Sequence, residues 1–165
     1  MSLSAPVPLD RKHHLIGFDC GKPSLNDWLT KIAIQAQGSG SAKTFVVMDG
    51  VELAGYFSLT VGQVDSTEAS DRIRQGMGKH PIPVVILARL AVALSWQGKG
   101  IGKGMLQDAI RRTTLISEQA GIRALLSHPL DEAAKEFYLR FGFQESPIRE
   151  GQLILLLKDA RRFLL

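Results

Sequence analysis

Cysteine is nearly absent from this 165-residue chain, in which Cys20 stands alone. A single thiol excludes an internal disulfide and any structural zinc site built on cysteine, and it favours a reducing compartment. Long apolar runs are missing as well. No uncharged stretch approaches the ~20 residues that a membrane-spanning helix needs, and MSLSAPVPLDRKHH lacks the apolar centre of a secretion signal. The expectation is a cytoplasmic protein without membrane association. There are no internal repeats, low-complexity tracts or linker-like shifts in composition, so a single domain over 1–165 is expected. The excess of one charge sign is slight: 20 Lys+Arg against 16 Asp+Glu leave a net +4. That permits a polyanionic partner without demanding one. Basic residues cluster at Arg72, Arg74 and Lys79, at Lys99 and Lys103, at Arg111 and Arg112, and at Arg161 and Arg162. Each cluster can equally be a solvated face.

What is present is an ordinary globular mixture, 45% hydrophobic and 22% charged, in which strand and helix patterns interleave. Leu25, Trp28, Leu29, Ile32, Ala33 and Ala36 recur at helical spacing behind Ser24, an expected N-cap, and Gly38-Ser39-Gly40 closes the run. KTFVVMD and ELAGYFSLTV flank Asp49-Gly50 and predict a hairpin. Residues 65–75 predict a short helix, and the prolines and glycines of QGMGKHPIP predict irregular chain. Val84 to Val92 reads as a strand. From Gly100 the positions Met105, Ala109, Ile110, Leu115, Ile116 and Ala120 predict a long amphipathic helix ending at Gly121. IRALLSH is a further strand. Asp131 caps a helix that presents Ala134, Phe137, Tyr138 and Phe141, and QLILLLK is the last strand. The pattern specifies an α/β or α+β fold with one mixed sheet.

The segment PVVILARLAVALSWQGKGIGKG, from Pro83 to Gly104, carries the chemistry. A strand that ends in a glycine-rich turn opening a helix places bare N–H groups at a positive dipole end, which suits a phosphate or pyrophosphate. Two common nucleotide loops are excluded by spacing. Five residues after Gly98 comes Lys103, with no Ser or Thr behind it, so a P-loop fails. The G-x-G-x-x-G fingerprint fails from Gly98, where Lys103 occupies the last position, and from Gly100, where Met105 does. Four alternating glycines weaken a helix start by roughly 1 kcal/mol each. A turn of that composition has either a backbone role toward a ligand or none beyond flexibility.

What fits is Gln97-x-x-Gly100-x-Gly102. It resembles the R/Q-x-x-G-x-G/A signature of the GNAT acetyltransferase superfamily, and FYLRFGF resembles that family's late F-Y-x-x-x-G-F element. The resemblance implies a GNAT fold, a mixed and mostly antiparallel sheet flanked by helices and splayed at the cofactor strand. It implies acetyl-coenzyme A as co-substrate, with no metal. Leu90, Ala91 and Val92 would then offer main-chain groups to the pantetheine arm. The turn of Gln97, Gly98, Lys99, Gly100, Ile101, Gly102 and Lys103 would take the pyrophosphate. Tyr138 would be the general acid that protonates the leaving thiolate, although a tyrosine on the apolar side of a short helix can also be plain core. No clear base is present; His128 and Glu132 are weak candidates that suit structural or surface roles as well.

Three stretches narrow the resemblance. FDCGKPSLNDWL, AKTFVVMDGVELAGYFSLTVGQV and PIPVVILARLAVALSWQGKGIGKGML resemble the toxin acetyltransferases of bacterial toxin–antitoxin modules, the TacT and AtaT kind. That likeness implies an aminoacyl-tRNA acceptor acetylated on its α-amino group, with arrest of translation. It implies a ribbon-helix-helix antitoxin, operator DNA reached only through the antitoxin complex, and a homodimer. A tRNA brings a phosphate backbone, so cations should dominate its affinity. Arg72, Arg74 and Lys79 in RIRQGMGKHPIP, together with Arg89, are the tRNA-binding candidates; Lys99 and Arg140 could help, although Lys99 and Lys103 can instead serve the cofactor phosphates. Members of this group often carry an acidic residue after L-A-V, where this chain has Ala93. The rival expectations are an N-acetyltransferase for small amines or protein N-termini, and a non-catalytic module that binds coenzyme A or a polyanion. Cys20 reads as a small packed residue and Trp28 as core. DARRFLL, with Arg161 and Arg162, could dock on a partner or face solvent.

Overall fold

The computed structural model describes residues 3–160. In chain order the elements are β1 (Val7–Pro8), α1 (Pro23–Lys31), α2 (Ala33–Ser39), β2 (Lys43–Asp49), β3 (Glu52–Val64), α3 (Asp71–Arg74), β4 (Ile82–Val92), α4 (Ile101–Ser117), β5 (Ala124–Ser127), α5 (Glu132–Arg140), β6 (Gln144–Glu145), β7 (Leu153–Leu156) and α6 (Leu157–Ala160). Short 3-10 turns occupy Ser66–Glu68 and Leu94–Trp96. The strands pair in the order β1-β2-β3-β4-β5-β7-β6, mostly antiparallel, with β4 and β5 parallel. Contact density divides the chain into Met1–Thr60 with Ala88–Ala109, and Val61–Leu87 with Ile110–Leu165.

In the first unit the expected N-terminal helix is two helices. Pro23 takes the first helical position, where its missing N–H costs nothing, so Lys22 rather than Ser24 is the N-cap. The chain leaves helical geometry at Ile32 (φ −123°) and restarts as α2, which Gly40 closes in the left-handed region at φ +81°. The apolar spacing survives the break: Trp28, Leu29, Ala33 and Ala36 are all buried with Val46, Leu53 and Tyr56. β2 and β3 form the predicted hairpin from Lys43↔Leu59 to Asp49↔Glu52, with a register shift between Val47 and Met48. Gly55 is required for close approach, because a Cβ there would meet the Ala91 carbonyl and the Met105 methyl at 3.0 Å.

In the second unit, β4 pairs with β5 from Val84↔Ala124 to Leu87↔Ser127 and then continues to Val92. β5 and β7 pair from Ala124↔Leu156 to Ser127↔Leu153. Val64, Ile73, Ile82, Val84, Ala124, Leu126, Ile154 and Leu156 make the core. Several boundaries differ from expectation. Ile82 and Pro83 already belong to β4; Pro83 donates nothing, but its carbonyl accepts from Arg123 N–H at 2.9 Å. α4 ends at Ser117, short of Gly121, and Leu115 is exposed. Leu157 and Lys158, read as strand, begin α6. Within 65–75, the α-helix is confined to α3 and Ser70 caps it, its hydroxyl accepting from Ile73 N–H. β1 and β6 have two residues each and no sequence signal. Arg161 and Arg162 lie outside the described residues. No helix among the described residues is long and apolar enough to cross a membrane.

Candidate active site

The turn after β4 lies in the first unit. Gly98 and Gly100 have φ of +78° and +84°, and nothing lies within 4 Å of where a Cβ would project. Backbone sign, not crowding, therefore demands glycine at both positions. The first helical bond of α4 runs from Gly104 N–H to the Gly100 carbonyl. The N–H groups of Ile101, Gly102 and Lys103 precede it and have no acceptor within the helix. Gln97, Gly98, Lys99 and Gly100 are exposed, while Ile101 is anchored in the core. Lys99 Nζ sits 5.0 Å from the centre of the Trp96 ring.

Gln97 braces this turn. Its side-chain amide donates to the Cys20 and Val92 carbonyls at 2.9 Å each. The FDCG segment is itself tied down. Asp19 Oδ1 accepts from Gly21 N–H at 2.8 Å and Asn26 Nδ2 at 3.0 Å, and Asn26 Oδ1 accepts from Cys20 N–H at 2.9 Å. These hydrogen bonds lower the Asp19 pKa. Leu94 N–H donates to the Asp19 carbonyl and Ala93 N–H to the Ala54 carbonyl. The end of β4 is thus fixed by backbone bonds at Ala93, with no carboxylate needed there. Asp19 and Glu52 line a pocket of ≈ 540 Å³ that also holds Ala93, Leu94 and Ser95. Cys20 is buried, its thiol turned to the Lys22 carbonyl, as expected of a packed residue.

Tyr138 lies in the second unit. Asp131 caps α5, its carboxylate accepting from Ala134 N–H at 2.9 Å. The helix then buries Tyr138 between Phe137 and Phe143, at 5.3 and 5.1 Å between ring centres. Burial pushes the Tyr138 pKa up to about 12, against a smaller opposing pull from a hydrogen bond with the Ser127 side chain. Ser127, itself buried at the last paired position of β5, has no sequence signature that separates it from other strand serines. His128 Nε2 lies 3.2 Å from Gln152 Oε1. Glu132 and Arg140 are exposed on α5.

The basic candidates differ sharply in their surroundings. Arg72 makes a two-pronged pair with Asp159, which raises its pKa, and Arg74 pairs with Asp71. Lys79 is exposed. Arg123, which the sequence did not single out, holds α3 in place by donating to the Ile73, Arg72 and Gln75 carbonyls. Arg89 lies on the Trp28 ring, 4.0 Å from its centre. Among the described residues, no group of three or more His, Cys, Asp or Glu side chains could hold a metal ion.

A turn with two left-handed glycines opens α4, and a buried tyrosine stands on α5. The acetyltransferase (GNAT) domain model matches residues 40–145, and the chain belongs to the GNAT acetyltransferase family. It is 38% identical over 158 residues to the tRNA-acetylating toxin of Mycobacterium tuberculosis, covering 96% of this chain and 95% of that one. A tyrosine-to-phenylalanine variant of KacT superposes with a TM-score of 0.90 at 25% identity, over 98% of this chain and 99% of that one. A tyrosine-to-phenylalanine variant of AtaT, bound to the C-terminus of the antitoxin AtaR and to acetyl-CoA, gives 0.83 at 25%, over 98% and 97%.

Proposed function

We propose that this chain is the toxin of a toxin–antitoxin pair, a cytoplasmic enzyme that moves the acetyl group of acetyl-coenzyme A to the α-amino group of aminoacyl-tRNA and thereby stops translation. The observation that carries the reading is the turn from Gln97 to Lys103, whose two exposed left-handed glycines lead into α4, where the first N–H groups have no acceptor within the helix. These amides hold the pyrophosphate. Lys99 and Lys103 add charge, and Gln97 keeps the turn in shape. The main chain of Leu90, Ala91 and Val92, where β4 runs on past its pairing with β5, takes the pantetheine arm. All of 1–165 acts as one acetyltransferase domain.

The acceptor nitrogen attacks the thioester carbonyl carbon, the C–S bond breaks, and the thiolate takes the proton of Tyr138. The proton lost by the nitrogen returns to the phenolate through solvent. An α-amine next to an ester carbonyl is less basic than a lysine, so weak assistance suffices and no strong base is required. Arg72, Arg74, Lys79 and Arg89 are the tRNA contacts. Because Arg72 and Arg74 are already ion-paired, they contribute less than their number suggests. A ribbon-helix-helix antitoxin neutralises the enzyme, and operator DNA enters only through that complex.

Incubation with radiolabelled acetyl-coenzyme A and a mixture of charged tRNAs tests the reading. Label is expected on the aminoacyl moiety of tRNA. Label found only on free amines or peptides would establish the small-amine alternative, and no transfer at all would leave a binding module.

The Ser127 hydroxyl pulls the Tyr138 pKa down and so eases formation of a buried phenolate. Ser127→Ala should therefore raise the Tyr138 pKa further and lower kcat by about tenfold, the worth of one hydrogen bond to a charged group. KM for acetyl-coenzyme A should change little. Ultraviolet titration of the tyrosinate and steady-state kinetics read both effects, and recovery in Ser127→Thr separates the hydroxyl from simple packing.

A further inference from the structure

Among the described residues, Arg89 is a cation without a counter-charge. Among the described residues its guanidinium makes no hydrogen bond and no ion pair, and its one recorded partner is the face of Trp28. That face is rigid. Trp28 is buried and stacks on Tyr56 at 6.2 Å and 11° between planes, and Phe18 meets Tyr56 edge-on at 5.6 Å. Tyr56 is itself fully buried and donates its hydroxyl to the Leu25 carbonyl at 2.7 Å. Partial burial lowers the Arg89 pKa, with only the Tyr56 hydroxyl opposing.

A flat guanidinium on an aromatic ladder has lost most of its rotamer freedom before any ligand arrives, and all five of its N–H donors stay uncommitted. Half-buried charge with no compensation is unfavourable, and a fixed oxyanion would relieve it. Alternation along β4 puts Arg89 on the same face as Ala91, which packs in the cluster of Trp28 and Tyr56; Leu90 and Val92 point to the opposite face. An aminoacyl ester has no free carboxylate, so the nearest oxyanions on such an acceptor are the phosphodiesters of the terminal nucleotides.

We propose that Arg89, held over the Trp28 ring, docks a phosphodiester of the single-stranded acceptor end of tRNA and so favours a nucleic-acid-linked amine over a free one. The proposal rests on the aminoacyl-tRNA reading above and names the contact that would enforce it. It also ranks the four cations: Arg89 is preorganised and unpaired, whereas Arg72 and Arg74 must leave carboxylates to bind phosphate.

The test compares wild type, Arg89→Gln and Arg89→Lys on charged tRNA across salt concentrations, and on aminoacyl-adenosine, which carries no phosphate. Arg89→Gln should raise KM for charged tRNA by about tenfold, the worth of one charge-assisted hydrogen bond. The salt slope of log(kcat/KM) should become shallower by about 0.7, one phosphate's share on a single strand. Arg89→Lys should keep the slope and lose part of the affinity, because an ammonium cannot reproduce the planar fork. The loss on charged tRNA should exceed that on aminoacyl-adenosine several-fold. An unchanged slope in Arg89→Gln, or equal losses on both acceptors, would overturn the proposal. Direct binding of uncharged tRNA reads the same slope without turnover. An enzyme that acetylates some other amine would thus refute the acceptor reading separately, while the binding slope still decides the role of Arg89.

Discussion

Tyr138→Phe is expected to lower kcat by about 10²–10⁴, the range over which a positioned general acid contributes, while acetyl-coenzyme A binding changes little. The ring stays between Phe137 and Phe143, so the fold keeps its packing and only the hydroxyl is lost. Rapid-mix turnover with charged tRNA, alongside calorimetric titration of the cofactor, separates the two effects. Growth arrest on expression should disappear in the same variant. Full toxicity in Tyr138→Phe would mean that inhibition comes from binding and not from transfer. The pH dependence follows from the raised pKa. A phenol titrating at about 12 rather than 10 remains protonated across neutral and mildly alkaline pH. No alkaline loss of activity from this group is therefore expected below about pH 10. Its effect on stability has a definite sign. From pH 10 upward the unfolded chain gives up this proton while the folded chain keeps it, so the unfolded state gains and stability falls as pH rises toward 12.

The second large effect concerns the turn. Gly100→Ala forces an L-residue into φ near +84°, which costs about 1–2 kcal/mol, and it projects a methyl from the surface proposed to receive the pyrophosphate. The free variant relaxes out of this geometry and must recover it to bind, so the expected result is a loss of acetyl-coenzyme A affinity of about tenfold. Gly98→Ala combined with it should give about a hundredfold, if the two strains add. The contrast is Gly104→Ala. Gly104 lies inside α4 with an open Cβ position and no positive φ, so alanine there should stabilise the helix by about 0.5–1 kcal/mol. Calorimetric titration with acetyl-coenzyme A and thermal melting of all three variants check the pair. Retained cofactor affinity in Gly100→Ala would move the pyrophosphate away from this turn.

Much of this architecture can be read from local pattern, because its causes are local. The Asp49-Gly50 hairpin, the capping of α5 by Asp131 and the strand–turn–helix around Gly98 and Gly100 each depend on residues a few positions apart. The misreadings share the opposite property. Pro83 sits within β4 because Arg123, distant in sequence, uses its carbonyl, and Leu157 turns into α6 although QLILLLK keeps the alternation of a strand. Ile32 breaks a helix whose apolar spacing runs straight through it.

The sequence by itself determined the class of chemistry. Glycines that only left-handed backbone requires, opening a helix behind a β-branched strand, and a tyrosine in FYLRFGF are local facts that survive any packing. Tertiary structure alone decided which polar residues are committed and which are available. Gln97 turned out to be tied to Cys20, Arg72 to Asp159 and Ser127 to Tyr138, partners that lie 77, 87 and 11 positions away in the chain. Arg89 was left on Trp28 with its donors unspent. Charge and hydrogen-bonding capacity are written into a residue type. Whether they are spent depends on neighbours that folding brings from far along the chain, and those neighbours have no signature in the residue's own surroundings.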